Sequence, residues 1–453
     1  MAIINVKGTH DIIGLEAEQY SYVENLMSQI ASLYAFQQVR PPVLEHSELF
    51  TRSVGESSDV VRKEMYSFDD KGGRSLTLRP EFTAGIIRLI VQNKLIPISE
   101  LPLKFYYCGP VFRYERPQLG RYRQFNQFGV ESVGHNSPYA DVEVIALAYT
   151  ILQSLGLENV TIKINTLGDE ASREAYKRAL KEYFANKVNN MCSDCQMRYE
   201  LNPLRILDCK VPEDQEIVKG APTMSDYLST DSQKRFIKVL EALREMGIPY
   251  EVDDTLVRGL DYYSETVFEF HYVSNKGNNY GAIGAGGHYS NLVSELGGPS
   301  VPGVGFSFGV ERLVSVLNDD ELLPNINNNV DAYVMPIGLE SQQYALDVAD
   351  EIRLLGYKVD MCFDDVKLGN MFKRSEKKGA KVAVIIGENE IKNNEVIIKN
   401  LKTTEQFSIK YEEIENKIDD ILNPQEHECC RKEEKKEREC CEGEECECRK
   451  GNK

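Results

Sequence analysis

The sequence lacks any long hydrophobic run and any start typical of an exported protein. No stretch approaches the roughly 20 consecutive apolar residues that a transmembrane helix needs, so we expect no membrane association. Residues 1–7 also lack the charged and apolar layout of a secretory signal. These two absences predict a cytoplasmic protein.

Basic residues are fewer than acidic residues in this sequence. The chain has 53 Lys and Arg residues against 71 Asp and Glu residues, which gives a formal net charge of −18. This excess argues against a protein that coats nucleic acid nonspecifically. It does not exclude RNA, because a large acidic enzyme can still hold a local basic face.

Two common nucleotide-binding motifs are also missing. The sequence contains no phosphate loop of the Gly-x-x-x-x-Gly-Lys type, and no Rossmann glycine fingerprint follows its first strands. Nucleotide binding would therefore depend on separated arginines on antiparallel strands.

Cysteine is unevenly distributed. Because the chain has no export signal, we expect the scattered thiols to be reduced. Of the 11 cysteines, five are scattered and six crowd the end of the chain, the two sets being Cys108, Cys192, Cys195, Cys209 and Cys362, and Cys429, Cys430, Cys440, Cys441, Cys446 and Cys448.

The length of 453 residues predicts two to four domains with ample core. Residues 1–325 predict an α+β domain with an antiparallel sheet flanked by helices, interrupted by a polar, lysine-rich helical insertion at about 170–250. Its clearest segments are a helix at 15–38, a long hairpin of strands at 104–115 and 123–134, a helix at 141–155, and strands at 256–273 and 279–286.

The remainder of the chain divides in two. Residues 326–424 begin in an asparagine-rich linker and then alternate short apolar strands with helices. This alternation predicts a separate α/β domain whose sheet is covered on both faces. Residues 425–453 are nearly all Glu, Lys, Arg and Cys, a composition that cannot form a packed core and predicts disorder.

The hairpin carries an unusual mixture of side chains. Because side chains alternate between the faces of a strand, the odd positions of each half share a face. If the two faces coincide, one side holds arginines, carboxylates, an amide, an aromatic ring and a gap at a glycine. That mixture favours a binding floor over a solvent face, and its members are Arg113, Glu115, Arg123, Phe125, Gln127, Gly129 and Glu131.

Two further arginines stand at points where an anion can approach. Arg258 precedes a glycine and the tyrosine pair Tyr262 and Tyr263, and its simpler interpretation is a surface arginine next to core tyrosines. Arg312 lies where a helix begins, which favours phosphate oxygens, although it can equally be an exposed residue paired with Glu311.

These stretches resemble a known family. The hairpin with residues 112–117, the turn at 309–312 and the entry at Pro41 and Pro42 are similar to the three signature motifs of class II aminoacyl-tRNA synthetases. Residues 77–83, 258–263 and 285–289 resemble stretches typical of histidyl-tRNA synthetases. The resemblance covers roughly residues 1–415 in order, and several independent motifs make it specific.

The resemblance implies that ATP and L-histidine form histidyl-adenylate and that the histidyl group passes to the 3′ end of histidine tRNA. Arg113 and Arg258 would clamp the α-phosphate, and Arg312 would hold the γ-phosphate. Glu115 would lie near the ATP and its Mg²⁺, with Phe125 stacked on adenine and Gln127 also at the nucleotide.

The resemblance also implies a histidine site and a tRNA site. The histidine ammonium group would meet Glu81, Thr83 and Gln127, and the imidazole would meet Glu131 and Tyr263, with Tyr262, Tyr289 and Arg258 around the substrate. For Glu81 alone, a helix-start residue after Pro80 is an equally ordinary interpretation. The acceptor end of the tRNA would contact Arg116, Gln118, Arg121 and Arg123.

The family further implies a homodimer paired through the first motif, around residues 41–45, and a C-terminal α/β domain that reads the anticodon as single-stranded bases. Lysines and arginine near 367–378 give that domain a basic helix, for which a solvated face is an equal alternative.

Three features depart from the pattern. His288 and Ser290 stand where the family usually has arginine and aspartate, which puts any ion pair there in doubt. Cys192, Cys195 and Cys209 lack a fourth cysteine or histidine nearby, so inert thiols are favoured over zinc. The six terminal cysteines, with His427, can be soft-metal ligands or part of a dispensable extension.

Two rival functions deserve comparison. A non-catalytic synthetase-like regulatory subunit of ATP phosphoribosyltransferase typically lacks the anticodon domain and the arginine clamp, both of which this sequence keeps. A synthetase for threonine, proline or glycine is disfavoured by the tyrosine pair after Arg258.

Overall fold

The computed structural model describes residues 3–55, 57–96, 101–116 and 120–423. Gln118 and the six C-terminal cysteines lie outside the described residues, so the expectations placed on them stay predictions. The chain divides into two compact units, Met1–Ile326 and Asn327–Lys453. Among the described residues, no helix is long and apolar enough to cross a membrane.

The first unit is built on an eight-stranded sheet in the order β1-β5-β6-β11-β10-β9-β7-β8. Its six central strands are antiparallel, and the edge strands β1 and β8 pair in parallel with their neighbours. A separate three-stranded sheet has the order β2-β4-β3. The strands are β1 (Gln37–Gln38), β2 (Leu44–His46), β3 (Tyr66–Asp69), β4 (Ser75–Leu78), β5 (Leu103–Phe112), β6 (Gln124–Val133), β7 (Thr161–Thr166), β8 (Tyr250–Val252), β9 (Ser264–Val273), β10 (Asn279–Tyr289) and β11 (Gly303–Gly309).

Helices cover this sheet and the insertion. Several begin at a side chain that caps them, such as Ser137, which accepts a bond from the Tyr139 N–H at 3.2 Å, and Asp169, which accepts from Ser172 at 2.8 Å. The helices are α1 (Leu15–Leu33), α2 (Ser47–Ser53), α3 (Thr83–Gln92), α4 (Pro138–Ser154), α5 (Glu170–Phe184), α6 (Ser193–Leu201), α7 (Pro212–Val218), α8 (Thr230–Glu245), α9 (Leu292–Glu295) and α10 (Val310–Asp319).

Strands β5 and β6 form the predicted hairpin and position much of the site. Their register places Tyr107 opposite Gly129 and Gly109 opposite Gln127. A Cβ at Gly129 would overlap the Tyr107 hydroxyl, so glycine is required there for close packing rather than for an open gap. Strand β5 ends at Phe112, so Arg113 and Glu115 lie in the loop that follows and not in the strand.

The segment from 170 to 245 is helical where the sequence predicts an insertion. Its last helix, α8, returns to the main core, where Val239 and Leu243 are fully buried in the cluster that contains α4. Tyr176 and Phe184 of α5 belong to a second core cluster, together with residues of α3 and β9. The insertion is therefore packed against the layers that carry the site.

The second unit has a five-stranded sheet in the order β13-β12-β14-β15-β16, parallel among the first three strands and antiparallel beyond them. Apolar clusters lie on both faces, as Val334 and Ile398 belong to one cluster and Tyr333 and Ile385 to another. The elements are β12 (Ala332–Pro336), α11 (Gln342–Leu354), β13 (Val359–Met361), α12 (Leu368–Lys377), β14 (Val382–Ile386), α13 (Glu388–Asn393), β15 (Glu395–Asn400), β16 (Gln406–Lys410) and α14 (Ile414–Leu422).

Candidate active site

A single cavity of about 420 Å³ opens on one face of the eight-stranded sheet. Arg113, Arg258 and Arg312 all line it, although they come from a loop after β5, a loop before β9 and the start of α10. Every histidine-site and ATP-site residue that the sequence predicts lines the same cavity, namely Glu81, Thr83, Gln127, Glu131, Tyr262, Tyr263, Tyr289, Glu115 and Phe125.

Arg113 is held at the mouth of the cavity by its backbone and by one hydrogen bond. Its Nε donates to the Pro80 carbonyl at 2.8 Å, and its guanidinium carbon lies 5.5 Å from the centre of the Phe125 ring. The nearest carboxylate, Glu115, is 4.0 Å away, at the limit of an ion pair. These contacts leave much of the guanidinium able to face an anion.

Arg258 is anchored by a residue that the sequence did not identify. Its Nη1 pairs with Oε1 of Glu269 on β9, and the other oxygen of Glu269 lies 2.9 Å from the His271 ring. Burial acts to lower the pKa of Arg258, but the Glu269 carboxylate together with Tyr263 and Tyr262 outweighs it, and the pKa lies above the ordinary arginine value. The Arg258 Nε is buried without a hydrogen-bond partner among the described residues, which leaves a donor for a ligand.

Arg312 lies in the first turn of α10, and its neighbour fixes that helix to the hairpin. The carboxylate of Glu311 accepts the Asn126 backbone N–H at 2.8 and 2.9 Å, while the Arg312 Nη1 donates to the Ala282 carbonyl at 2.5 Å. Burial lowers the pKa of Arg312, and the nearby Arg121 adds to that effect. Two close guanidinium groups favour an anion between them.

The closed end of the cavity is organised around Glu131, whose side chain is 1% exposed. Thr83 Oγ1 donates to one of its oxygens at 2.7 Å and the Tyr289 hydroxyl donates to the other at 2.8 Å. Burial raises the pKa of Glu131 to about 8. A Cβ at position 305 would overlap this carboxylate, so Gly305 on β11 makes room for it.

Glu81 fulfils the helix-start role that the sequence offered as an alternative, and it also lines the cavity. Its carboxylate accepts the backbone N–H groups of Thr83 and Ala84 at 2.6 and 2.9 Å, which caps α3. Burial raises its pKa, and Arg113 acts in the opposite direction. The cap holds the carboxylate rigidly at the cavity wall.

Gln127 and the tyrosines complete this end. The Gln127 Nε2 donates to Ser307 Oγ at 2.9 Å, while its Oε1 is buried with no partner among the described residues. Tyr262 packs against Tyr263 at 4.5 Å between ring centres and against Tyr289 at 5.8 Å. The result is an aromatic pocket with one free amide acceptor.

The open end combines an aromatic ring with carboxylates. Glu115 pairs with Arg121 at 3.2 Å, and Glu64 of the short helix Val60–Glu64 also lines the cavity. Burial raises the pKa of Glu64, and the charge of Glu115 raises it further. The two carboxylates repel each other, and a hard divalent cation bound to both would reduce that repulsion.

The residues predicted to meet tRNA are only partly brought together. Arg121 lines the cavity, whereas Arg116 is exposed and is not among the residues that line it. Arg123 instead stacks its guanidinium on Tyr114 at 3.8 Å, and its Nε lies 3.4 Å from the Glu115 carbonyl. Arg123 and Phe125 were expected to share one face, but Arg123 precedes β6, where the strand alternation does not yet apply.

The departures at 288 and 290 are accommodated by other partners. His288 lies 3.0 Å from the fully buried Asp141, which also receives hydrogen bonds from Arg235 and Thr266 at 2.8 Å each. Ser290 contacts Ser264 at 2.8 Å between hydroxyl oxygens. A buried ion pair therefore does form at this place, between α4, α8 and β10.

The sequence reasoning missed several cavity residues, among them Asp59, Arg205, Glu269 and Ser307. For Glu269 a signal was present, because a lone carboxylate stands between Phe268 and Phe270 in a strand-like run. Asp59 and Arg205 are 146 positions apart, and the 3.0 Å ion pair between them has no counterpart in any local pattern.

Comparison with known proteins gives consistent matches. A family model described as histidyl-tRNA synthetase matches residues 8–313, and one described as an anticodon binding domain matches residues 331–421. The histidine–tRNA ligase of Bacillus licheniformis is 44% identical over 406 residues, which cover 89% of this chain and 95% of the relative. That of Bacillus subtilis is 42% identical over 410 residues, covering 90% and 96%.

A solved structure agrees with these matches. The apo histidyl-tRNA synthetase of S. aureus superimposes with a TM-score of 0.78 at 35% identity, and the match covers 92% of this chain and all of the other. The α+β unit with its own sheet and the C-terminal unit with a second sheet are thus confirmed as the fold that the sequence predicts.

Proposed function

Since this chain belongs to the histidyl-tRNA synthetase family and is a histidine–tRNA ligase, we propose that its three cavity arginines act on one bound ATP. The observation that carries this proposal is the lining of one cavity by Arg113, Arg258 and Arg312 from three separate elements. Arginine forks bind phosphate oxygens in pairs of hydrogen bonds, so a shared cavity is what a single triphosphate requires.

The two arginines nearest the histidine end would clamp the α-phosphate. The substrate carboxylate is already a nucleophile at neutral pH, so activation needs charge neutralisation at the crowded phosphorus and no general base. Arg113 is fixed through Pro80 and Arg258 through Glu269, which places the two cations without reorganisation at the moment of attack. Arg312, beside Arg121, would hold the γ-phosphate.

The closed end would hold histidine. Glu131 and Tyr263 would meet the imidazole, with Tyr262 and Tyr289 around the ring, and an analogue without ring nitrogens would leave buried groups unpaired. The ammonium group would meet Glu81, Thr83 and Gln127. The unpartnered Oε1 of Gln127 supports this assignment, because a buried acceptor without a donor indicates a place for a ligand donor.

The open end would hold the nucleotide with Mg²⁺. Phe125 would stack on adenine, and the residues that would hold the cation are Glu115 and Glu64. Bound there, Mg²⁺ would neutralise phosphate charge.

RNA and subunit contacts complete the proposal. The acceptor end of the tRNA would pass Arg116, Gln118, Arg121 and Arg123, and the anticodon-binding domain at 331–421 would present basic residues of α12, such as Lys373. We infer a homodimer paired around residues 41–45, where Leu44 is 47% exposed. The bacterial relatives support a cytoplasmic location.

The rival function as a regulatory subunit is disfavoured. The curated relatives are ligases over most of their length, and this chain keeps both the arginines and the anticodon domain.

The assignment is tested by ATP–pyrophosphate exchange with each amino acid in turn. We expect exchange with histidine alone, and a loss of about 10²-fold or more in kcat when any of the three arginines is replaced by alanine. A control, Arg353→Ala on the surface of the second unit, should leave the exchange unchanged. Near-normal exchange in all three variants would refute the shared phosphate site.

A further inference from the structure

Four metal-ligand side chains come together in the helical insertion, away from the reacting groups. Their ligand atoms, three thiol sulfurs and a carboxylate oxygen, all lie within 4.8 Å of one another. Cys192 caps α6 and Cys195 lies in its first turn, Cys209 follows the short helix Pro203–Asp208, and Asp214 lies on α7. The sequence offered the three cysteines but no fourth ligand, and the fold supplies it.

The separations fit a tetrahedral zinc site. Around a Zn²⁺ with Zn–S bonds of about 2.3 Å, two sulfurs lie about 3.8 Å apart, and a sulfur and a carboxylate oxygen lie about 3.5 Å apart. Here the Sγ atoms of Cys192 and Cys209 are 3.9 Å apart, and Cys209 Sγ lies 3.2 Å from Asp214 Oδ2. Small shifts of side chains suffice to close this arrangement on an ion.

Burial and charge point in the same direction. Asp214 is 1% exposed, and its described partners are thiols and the Cys192 backbone N–H at 3.2 Å, with no lysine or arginine in ion-pair range among the described residues. Burying a carboxylate without a cation is costly, so a bound cation next to Asp214 would be stabilising.

The backbone is also arranged as in thiolate sites. The Cys195 N–H donates to Cys192 Sγ at 3.4 Å and the Val211 N–H donates to Cys209 Sγ at 3.5 Å. Hydrogen bonds of this kind orient ligands and spread the negative charge of several thiolates on one ion.

We propose that Cys192, Cys195, Cys209 and Asp214 bind a Zn²⁺ ion as a closed structural site. With four protein ligands no position stays open for a reacting molecule, so the ion contributes to folding and not to chemistry. The ligands come from three separate pieces of the insertion, which the ion ties together.

The tied segment reaches the active site. Between Cys195 and Cys209, Arg205 pairs with Asp59 at 3.0 Å and donates to the Ser57 carbonyl at 2.8 Å. Asn202 donates to Asp261 at 2.9 Å, three residues beyond Arg258. Arg205 and Asp59 both line the catalytic cavity, so the ion positions one of its walls.

Two competing states make different predictions. Inert thiols would bind no metal, and a Cys192–Cys209 disulfide would bring sulfurs now 3.9 Å apart to about 2.05 Å and remove two ligands.

The test uses the full-length chain with the six C-terminal cysteines replaced by serine, so that they contribute no metal. After gel filtration, elemental analysis should find about one zinc per chain. Cys209→Ser and Asp214→Asn in this background should each weaken zinc binding by at least about tenfold, and Cys362→Ser, a buried thiol in the second unit, should not. Cobalt in place of zinc should give thiolate charge-transfer and tetrahedral visible bands.

A second measurement needs no ligand variant, in case those variants fail to fold. Zinc should protect Cys192, Cys195 and Cys209 from alkylation in the native protein, and a chelator should expose them, as mass spectrometry of the peptides would report. A metal-free protein that does not take up zinc, three thiols alkylated equally with and without zinc, or a Cys192–Cys209 disulfide would each overturn the proposal.

Discussion

Replacing Arg258 is expected to affect both the reaction and the stability of the fold. The Arg258 and Glu269 side chains are 16% and 18% exposed and form an ion pair. The Arg258→Met variant keeps most of the apolar side-chain volume of Arg258 but removes its positive charge. Loss of one electrostatic stabiliser of the transition state should lower the kcat of histidine-dependent pyrophosphate exchange by about 10²–10³, or about 3–4 kcal/mol.

The same change also leaves Glu269 without its main partner. Removing one member of a buried pair typically costs about 3–5 kcal/mol of stability. Here the cost should fall near or below the lower bound, because Glu269 keeps the His271 ring at 2.9 Å and some access to water. A lower Tm is therefore expected alongside the lost activity, and a single variant cannot tell the two effects apart.

A double variant resolves them. Arg258→Met with Glu269→Gln removes both charges, so the Tm should return most of the way to that of the parent while exchange stays at the level of Arg258→Met. Glu269→Gln alone keeps the cation but loosens it, and exchange should fall by a smaller factor. Thermal melting and exchange kinetics on the four proteins check these outcomes. If exchange recovered together with the Tm in the double variant, Arg258 would act only through the fold.

Three further outcomes are expected from other parts of the molecule. Burial raises the pKa of Glu131 to about 8, so its contribution to stability is fully present below its unfolded pKa and is lost as the pH rises through about 8. The Tm of Glu131→Gln relative to that of the parent should therefore increase between about pH 5 and about pH 9. A Tm difference that stays constant with pH in melting scans would contradict this. Tyr289→Phe removes the 2.8 Å hydrogen bond to Glu131 and should raise the KM for histidine roughly tenfold, because an unpaired buried acceptor costs about 1–3 kcal/mol. The control is Tyr272→Phe, which removes a hydroxyl that bonds Asp320 outside the cavity and should leave that KM unchanged. Deleting residues 425–453 should leave aminoacylation intact, and a large loss in charging assays would show that the terminal segment takes part.

Much of the site was predictable because strand alternation is a strict geometric rule. Phe125, Gln127 and Glu131 are two or four residues apart on β6, and all three line the cavity. The rule fails where the strand ends. Arg123 lies one residue before β6, where its N–H donates to the Gly8 carbonyl at 2.7 Å instead of to β5, and its side chain stacks on Tyr114.

The second unit shows a different limit. The alternation of apolar runs and helices predicts β12, β13 and β14, and the burial of β12 and β14 on both faces makes those two strands continuous hydrophobic segments. Strands β15 and β16 were not predicted. β16 alternates between exposed and half-buried residues and lies at the edge of the sheet, so its composition resembles a polar loop.

Acidic residues mark the limit of what local patterns can supply. Asp214 was identified only when the fold brought it to three thiols, and the partner of Glu269 was identified only when the fold brought it to Arg258; neither carboxylate belongs to a spaced motif. A search for zinc ligands that accepts only cysteine and histidine stops at three in this chain, and carboxylates are too abundant in an acidic protein to be chosen by type. Asp214 is buried with no basic partner among the described residues, and such burial is costly unless a cation binds. The same reasoning selects Glu269, whose burial is explained by Arg258. In both cases a buried carboxylate requires a positively charged partner. For Asp214 we propose that this partner is the Zn²⁺ ion, which the zinc-binding measurements would detect.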